Sequence, residues 1–227
     1  MTTLASSPVA EVLDQLFADA ERTHAAFRER KAQSAGDESG NAALWREEQN
    51  ARQFYADVKD VHLAVSRWAG DLLYLLARSR GARAIVEFGT SFGVSTIHLA
   101  AALRDGDGGR VISCEFEPSK VANARRGLAD AGLADLVEVR EGDALDVLAR
   151  DLPESIDVVF LDGAKNLYVD VLRLLEPKLA TGAVVVADNS SRSPEYLEHV
   201  RSGGGYRSMS FGDDVEVSLR LGGSSGR

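Results

Sequence analysis

The second half of the chain alternates short apolar runs with stretches of helical periodicity. From Ala84 onward the runs read AIVEF, RVISCEF, LVEVRE, IDVVFLD and AVVVADN, and helical stretches such as VSTIHLAAAL and YVDVLRLLEPKL separate them. This alternation is typical of βαβ units, whose crossover helices cover both faces of a parallel sheet. A final pair of runs across FGDD predicts an antiparallel hairpin. We therefore expect an α/β fold with a doubly wound, mostly parallel seven-stranded sheet whose last strand is antiparallel.

The chain ahead of Ala84 has a helical pattern instead. Val9, Leu13 and Leu16 recur at helical spacing, and so do Trp68 and Leu72 further on. We expect a helical extension over 1–60, serving as a lid or a dimer arm, a main domain over 61–221 and a disordered tail over 222–227. Because Trp68 lies on an apolar stripe, the pattern predicts that it belongs to the core.

Composition excludes several classes of function. The 227 residues carry a formal net charge of -9, which argues against a surface built to contact nucleic-acid phosphates. Cys114 is the only cysteine, so no intramolecular disulfide can form and a reducing compartment suits the chain. No basic leader or long apolar run is present, and we expect a cytoplasmic protein without a membrane partner.

Carboxylates follow nearly every strand of the predicted parallel sheet. Ligands of such sheets bind beyond the carboxyl ends of the strands, so these residues are candidates for a site. They are Glu87, Glu115, Glu141 with Asp143, Asp162 and Asp188. The sequence therefore predicts a ligand site along this edge.

The stretch IVEFGTSFG after the first strand allows more than one interpretation. Its Gly89-x-Ser91-x-Gly93 pattern matches the nucleophile elbow of a serine hydrolase, with Asp162 or Asp188 and His199 following in the correct chain order. No oxyanion segment precedes it, however. A glycine turn at a helix start also suits a nucleotide, with Glu115 accepting hydrogen bonds from ribose hydroxyls. A nicotinamide-dependent dehydrogenase is a weaker alternative, because the glycine spacing differs from the dinucleotide pattern.

The ends of the fourth and fifth strands favour a metal site. Asp162, Asp188 and Asn189 offer hard oxygen ligands that suit Mg²⁺ with positions left for substrate. Lys165 can reach the same space and take a proton from a hydroxyl. Taken singly, these residues also fit structural roles: Asp162 as a helix N-cap and Asp188 with Asn189 as a turn.

Residues 84–189 resemble the class I S-adenosylmethionine-dependent O-methyltransferases, and within them the metal-dependent catechol and caffeoyl-CoA branch. The motifs are Leu161-Asp162-Gly163-Ala164-Lys165 and Ala187-Asp188-Asn189, together with the Glu87-Phe88-Gly89 turn. The resemblance implies a Rossmann-like fold. It also implies cofactor contacts by Glu87, Gly89, Ser91, Ser95, Glu115, Asp143, Ala144 and Asp162, a divalent metal on Asp162, Asp188 and Asn189, and Lys165 as the general base.

The implied reaction is an in-line methyl transfer to one of two adjacent hydroxyls that chelate Mg²⁺ or another divalent cation. The resemblance therefore implies S-adenosylmethionine as cofactor, a small phenolic acceptor of the catechol type and a homodimer. Related enzymes methylate a hydroxylated tRNA uridine, but an acidic chain with few lysines argues against that substrate. A non-catalytic binding module is a further alternative, and it would need no metal site.

Three departures from the family bear on the acceptor. Ala164 stands where catechol O-methyltransferase has a bulky aromatic residue, which predicts a roomier or differently closed pocket. The region between Tyr206 and Val215 is shorter, so the family's catechol-binding carboxylate has no counterpart here. The stretch Ala69-Gly70-Asp71 replaces the Glu-Gly-Gln of caffeoyl-CoA enzymes.

Overall fold

A computed structural model describes residues 2–34, 58–212 and 214–222. Its strands are β1 Ala84–Phe88, β2 Arg110–Glu115, β3 Val137–Glu141, β4 Ile156–Leu161, β5 Leu179–Asp188, β6 Tyr206–Phe211 and β7 Val215–Arg220. They form one sheet of order β3-β2-β1-β4-β5-β7-β6, in which β7 runs antiparallel to both of its neighbours. The predicted doubly wound sheet and its terminal hairpin are confirmed.

Helices flank the sheet and fill the intervals between strands. They are α1 Val9–Ser34, α2 Arg67–Arg80, α3 Val94–Arg104, α4 Pro118–Asp130, α5 Ala144–Val147, α6 Tyr168–Leu175 and α7 Pro194–Ser202. None of the helices in the described part of the chain is long and apolar enough to cross a membrane. The predicted extension over 1–60 is described only in part, because residues 35–57 lie outside the described residues, as do 223–227 of the predicted tail.

Alternating strand residues divide the core into two layers. In β1, Ile85 packs with α2 and α3, whereas Val86 belongs to the layer that contains α6 and α7. Val9 and Leu13 of α1 are buried in the first of these layers. Since apolar side chains cover both faces of every central strand, the hydrophobic effect fixes the register of the sheet.

The same alternation decides which strand-end residues share a face. Successive side chains of a strand point to opposite faces, so Glu87 follows Ile85 and Asp188 follows Val186 toward the α2–α3 layer. Asp162 comes directly after β4, and its backbone N–H donates to the carbonyl of Phe88 at 2.8 Å. The ends of β1, β4 and β5 therefore present their carboxylates on one side.

The prediction that Trp68 belongs to the core is wrong. The side chain is 45% exposed, whereas Ala69 and Leu73 of the same helix are buried against the sheet. One residue turns a helix by about 100°, so Trp68 lies at the margin of the apolar stripe. From there it reaches the terminal hairpin, where its ring stacks on Phe211.

Candidate active site

The turn after β1 approaches the end of β4 closely. Gly89 has φ +104°, and a Cβ atom there would lie 2.7 Å from the backbone carbon of Asp162. The backbone N–H groups of Gly89 and Thr90 both donate to the carbonyl of Cys114 in β2. Only glycine satisfies both the positive φ and the close approach, so this turn is fixed to the ends of the neighbouring strands.

The same turn holds the carboxylate at the end of β2. The backbone N–H of Ser91 donates to Oε2 of Glu115 at 2.8 Å, and that of Glu117 donates to Oε1 at 2.9 Å. Ser91 adopts φ +48° to make this contact. A carboxylate offers about four lone-pair sites, so Glu115 keeps acceptor capacity for ribose hydroxyls.

Glu87 is fully buried beneath the turn. Its Oε2 accepts hydrogen bonds from the hydroxyls of Thr96 and Ser113, each at 2.5 Å, and burial raises the pKa of the carboxyl. Its Oε1 and the hydroxyl of Ser91 are buried and have no hydrogen-bond partner among the described residues. A buried polar atom left unpaired costs about 1–3 kcal/mol. A polar ligand bound at this turn would remove that cost, so the turn fits a cofactor.

A small cavity joins several of the predicted cofactor residues. It is lined by Gly89, Ser91, Ser95 and Asp162, and by the segment 63–65 that precedes α2. The predicted cofactor residues that follow β1, begin α3 and follow β4 thus share one space. The segment 63–65 was not predicted to belong to it.

Asp143 and Ala144 lie at the next strand end along the sheet. The Asp143 side chain caps α5 by accepting a hydrogen bond from the backbone N–H of Leu145 at 3.0 Å. The backbone N–H of Gly142 donates to the backbone carbonyl of Glu115 at 3.0 Å, which ties this turn to the end of β2. A contact with adenine at these two residues stays a prediction.

A hydrogen-bonded chain links the ends of β4 and β5. The ammonium group of Lys165 donates to Oδ1 of Asp162 and to the hydroxyl of Tyr168, each at 2.8 Å. The Tyr168 hydroxyl in turn donates to the backbone carbonyl of Asp188 at 2.8 Å. Lys165 and Tyr168 are both buried, so the lysine is held in one position beside the carboxylates.

The charges at these strand ends fit a divalent cation. Burial and the negative charge of Asp162 raise the pKa of Asp188 to about 6. Asn189 follows in the left-handed conformation, with φ +49°. The described residues include no cluster of three His, Cys, Asp or Glu side chains suited to a metal. A cation here would therefore also need the Asn189 amide and oxygens from water or substrate, as Mg²⁺ commonly does.

The structure contradicts the serine-hydrolase alternative. Nε2 of His199 lies 2.8 Å from Oε1 of Glu176, and the helix that carries it packs in the opposite core layer through Val200. The Ser91 hydroxyl has no partner among the described residues. A nucleophile requires a base within hydrogen-bond reach, and His199 is hydrogen-bonded to Glu176 and not to Ser91.

Three residues of the site were not predicted from the sequence. Tyr168, which joins Lys165 to Asp188, could have been found from its position three residues after the lysine at the start of a helix. Thr96 and Ser113, which bond Glu87, belong to different elements. Their sequence positions carry no signal that they meet.

Comparisons with known proteins indicate the family of the chain. Residues 86–190 match the family described as a methyltransferase domain. Catechol O-methyltransferase of Mycobacterium tuberculosis is 41% identical over 130 residues, covering 57% of this chain and 58% of that protein. Catechol O-methyltransferase of Niastella koreensis is 36% identical over 143 residues, covering 60% and 62%. The chain thus matches about three fifths of the length of these curated relatives.

A solved structure extends the similarity over nearly the whole of another chain. The O-methyltransferase TomG of Streptomyces achromogenes, crystallised in complex with SAM, is 31% identical. The match to TomG has a TM-score of 0.66 and covers 90% of this chain and 99% of that one. Together with the motifs that end β4 and β5, these matches show that the chain belongs to the class I S-adenosylmethionine-dependent O-methyltransferases of the catechol and caffeoyl-CoA type.

Proposed function

We propose that the protein is an S-adenosylmethionine-dependent and divalent-metal-dependent O-methyltransferase that acts on one hydroxyl of a small catechol-like acceptor. The observation that carries the proposal is the chain of hydrogen bonds from Asp162 through Lys165 and Tyr168 to Asp188. It holds a buried lysine against the carboxylate of Asp162 and, through Tyr168, links that lysine to the backbone carbonyl of Asp188. The backbone of Asp162 itself lies against the Gly89 turn.

The cofactor would bind across the ends of β1, β2 and β3. Glu115, already oriented by two backbone N–H groups, would accept hydrogen bonds from the ribose hydroxyls. The unpaired oxygen atoms of Glu87 and Ser91 would bind the polar groups of the methionine end. These contacts satisfy buried atoms, so they would contribute to affinity as well as to orientation.

Asp162, Asp188 and Asn189 would hold the divalent cation. When bound, such a cation supplies Lewis-acid polarisation of an acceptor hydroxyl. Asp162 and Asp188 would hold the cation beside Lys165. The lysine's amino group, in its neutral form, would take the proton of the reacting hydroxyl and become an ammonium group. An acceptor with two adjacent hydroxyls could supply oxygens that these three residues would leave to water or substrate, which favours a catechol over a simple phenol.

Alignment of the two substrates would come from the rigid contact between strand ends. Gly89 of the cofactor turn lies against the backbone of Asp162, so the cofactor and metal residues cannot shift independently. Holding two reactants at a fixed distance and angle can supply roughly 7–11 kcal/mol of the barrier reduction. A displacement of either strand end would therefore lower the rate.

Methyl transfer from labelled S-adenosylmethionine to a panel of catechols and monophenols tests the proposal. We expect methylated catechols in the presence of Mg²⁺, and loss of activity both with EDTA and in Asp188→Asn. Asp170→Asn, an exposed change on α6, is the matched control and should keep full activity. Full activity in EDTA would contradict the metal requirement, and methylation of monophenols alone would contradict the catechol acceptor.

The extension over 1–60 is proposed to act as a lid or a dimer arm, and the protein as a homodimer. Two observations support a link between the extension and the site: Thr23 of α1 accepts a hydrogen bond from the backbone N–H of His62, and the adjoining segment 63–65 lines the cofactor cavity. Light scattering at several protein concentrations would give the oligomeric state directly.

A further inference from the structure

Two large aromatic side chains are stacked and exposed at the edge of the fold. The rings of Trp68 and Phe211 have centroids 5.8 Å apart and planes 15° apart. Their side chains are 45% and 42% exposed. A stacked pair that leaves so much ring surface in water is available to a further planar group.

The register of the sheet places this pair beside the proposed metal residues. Phe211 in β6 is paired with Val215 in β7, which is paired with Asp188 in β5. Residues directly opposite each other in antiparallel strands point to the same face. Phe211 and Asp188 therefore share the α2–α3 face, about 10 Å apart across two strand spacings.

Local contacts fix the orientation of the two rings. Gly212, with φ +64°, packs so closely that a Cβ atom there would lie 2.6 Å from the Trp68 ring. The hairpin turn is tied to the end of β5, because the backbone N–H groups of Ser190 and Ser191 both donate to Asp214. The pair is thus held in a constant position relative to Asp188.

The segment that leads into Trp68 belongs to the cofactor cavity. Val65 lines that cavity together with Asp162, and Ser66 caps α2 by accepting a hydrogen bond from the N–H of Ala69 at 3.1 Å. Trp68 follows within the first turn of α2. The aromatic pair is therefore connected to the cofactor cavity through the start of α2, and to Asp188 through the terminal hairpin.

We propose that Trp68 and Phe211 form a subsite that binds a second aromatic ring of the methyl acceptor. The inference rests on the proposed function and narrows its substrate class to catechols that carry a further aryl group. A catechol held at Asp162 and Asp188 would direct its distal substituent across β5 and β7 toward the pair. Position 164 carries alanine, so no large side chain there crowds the acceptor.

The neighbouring exposed side chains make it possible to distinguish an acceptor subsite from an interface between copies of the chain. Leu75 on α2, Met209 on β6 and Leu219 on β7 are 59%, 61% and 43% exposed. An interface between copies would use these outer residues as much as the aromatic pair. An acceptor subsite would use the pair alone, because the outer residues lie further from Asp188 along their elements.

Steady-state kinetics of two acceptors test the subsite. The acceptors are catechol itself and a catechol with a phenyl substituent, assayed with wild type, Trp68→Ala, Phe211→Ala and the control Met209→Ala. We expect kcat/KM for the phenyl-substituted acceptor to fall roughly 10-fold in the two aromatic variants, mostly through KM. Turnover of catechol and all values for Met209→Ala should stay at the wild-type level.

Other outcomes would overturn the inference. Equal losses for both acceptors, no loss for either, or the same loss in Met209→Ala would show that the pair does not recognise a distal ring. A change of molecular mass in Trp68→Ala would assign the pair to an interface between copies. If wild type methylates neither acceptor, the proposed function itself fails.

A binding measurement separates these failures, because it needs no turnover. The chain has two tryptophans, so Trp45→Phe leaves Trp68 as the only one. We expect the phenyl-substituted catechol to quench Trp68 fluorescence in this variant, and catechol to quench it much less. No quenching at concentrations that saturate the enzyme would overturn the subsite, whatever the activity.

Discussion

The ammonium group of Lys165 lies 2.8 Å from the carboxylate of Asp162, three residues before it in the chain. Both residues follow β4, and the turn between them brings the lysine back over the strand end. A buried amine in contact with a proposed metal residue is positioned to exchange a proton with a hydroxyl bound there. The pair therefore joins the base to the residues that would hold the acceptor.

Replacement of Lys165 by methionine should remove the base and keep the apolar stem. We expect kcat to fall by roughly 10²- to 10⁴-fold, the usual contribution of a positioned acid or base. The dissociation constant of S-adenosylmethionine, measured by calorimetry, should not change. Lys178→Met is the control, because Lys178 pairs with an exposed carboxylate of Glu154 away from the site. Retention of more than a tenth of the activity in Lys165→Met would assign the base to another group.

Tyr168 positions the lysine and does not itself need to react. In Tyr168→Phe the lysine loses one acceptor, and the carbonyl of Asp188 loses its hydrogen bond. We expect kcat to fall about 10-fold, as for other residues that orient a ligand of the site. Urea denaturation should show a loss of about 1–2 kcal/mol in the free energy of unfolding.

Tyr206→Phe provides the comparison for this change. Its hydroxyl donates to Glu176 at 2.8 Å, remote from the strand ends. A similar loss of stability with unchanged kcat is expected. If both variants lower kcat equally, the effect of Tyr168 is general loosening of the fold and not positioning of Lys165.

Gly89→Ala should test the contact between the cofactor turn and β4. The added methyl group would lie 2.7 Å from the Asp162 backbone and would also force an unfavourable φ. We expect a loss of about 3 kcal/mol or more in the free energy of unfolding, since the neighbour is backbone and cannot rotate away. Gly81→Ala has a positive φ but no atom within 4 Å, so it should cost only about 1–2 kcal/mol. Equal costs in urea denaturation would contradict the close approach.

The sheet could be predicted because its central strands are buried on both faces. Runs such as those of β1 and β4 are therefore apolar at nearly every position, and the helical stretches between them show their own period. The edge that carries Asp162 and Asp188 followed from this topology, since parallel strands end together. Local sequence patterns were therefore enough to predict a residue's position when that position depends only on the helix or strand to which the residue belongs.

Residues whose environment depends on distant elements could not be predicted in this way. Trp68 lies on an apolar stripe, but its exposure depends on where the hairpin around Phe211 packs. The hydrogen bonds of Glu87 require α3 and β2 to meet over β1. Both depend on tertiary packing, which no single segment of the chain encodes.

Acid should lower the stability of the fold through His62, which precedes the segment 63–65 that lines the cofactor cavity. The ring of His62 stacks on Phe92 with centroids 3.5 Å apart, and its Nδ1 is buried without a partner among the described residues. Burial, reinforced by the positive charge of Lys120, lowers the pKa of His62 from 6.5 to about 4. Between these two pH values the unfolded chain binds a proton that the folded protein does not. This contribution to stability is therefore complete above pH 6.5 and is lost as the pH falls toward 4.

His62→Phe should remove this pH dependence while it keeps the stacked ring. We expect the Tm of wild type and variant, measured by differential scanning fluorimetry, to be similar at pH 8. Between pH 6.5 and 4 the wild-type Tm should fall more steeply than that of His62→Phe, because only the histidine can take up the proton. Parallel curves over that range would show that protonation of His62 does not cause the loss of stability in acid, and that other groups account for all of it.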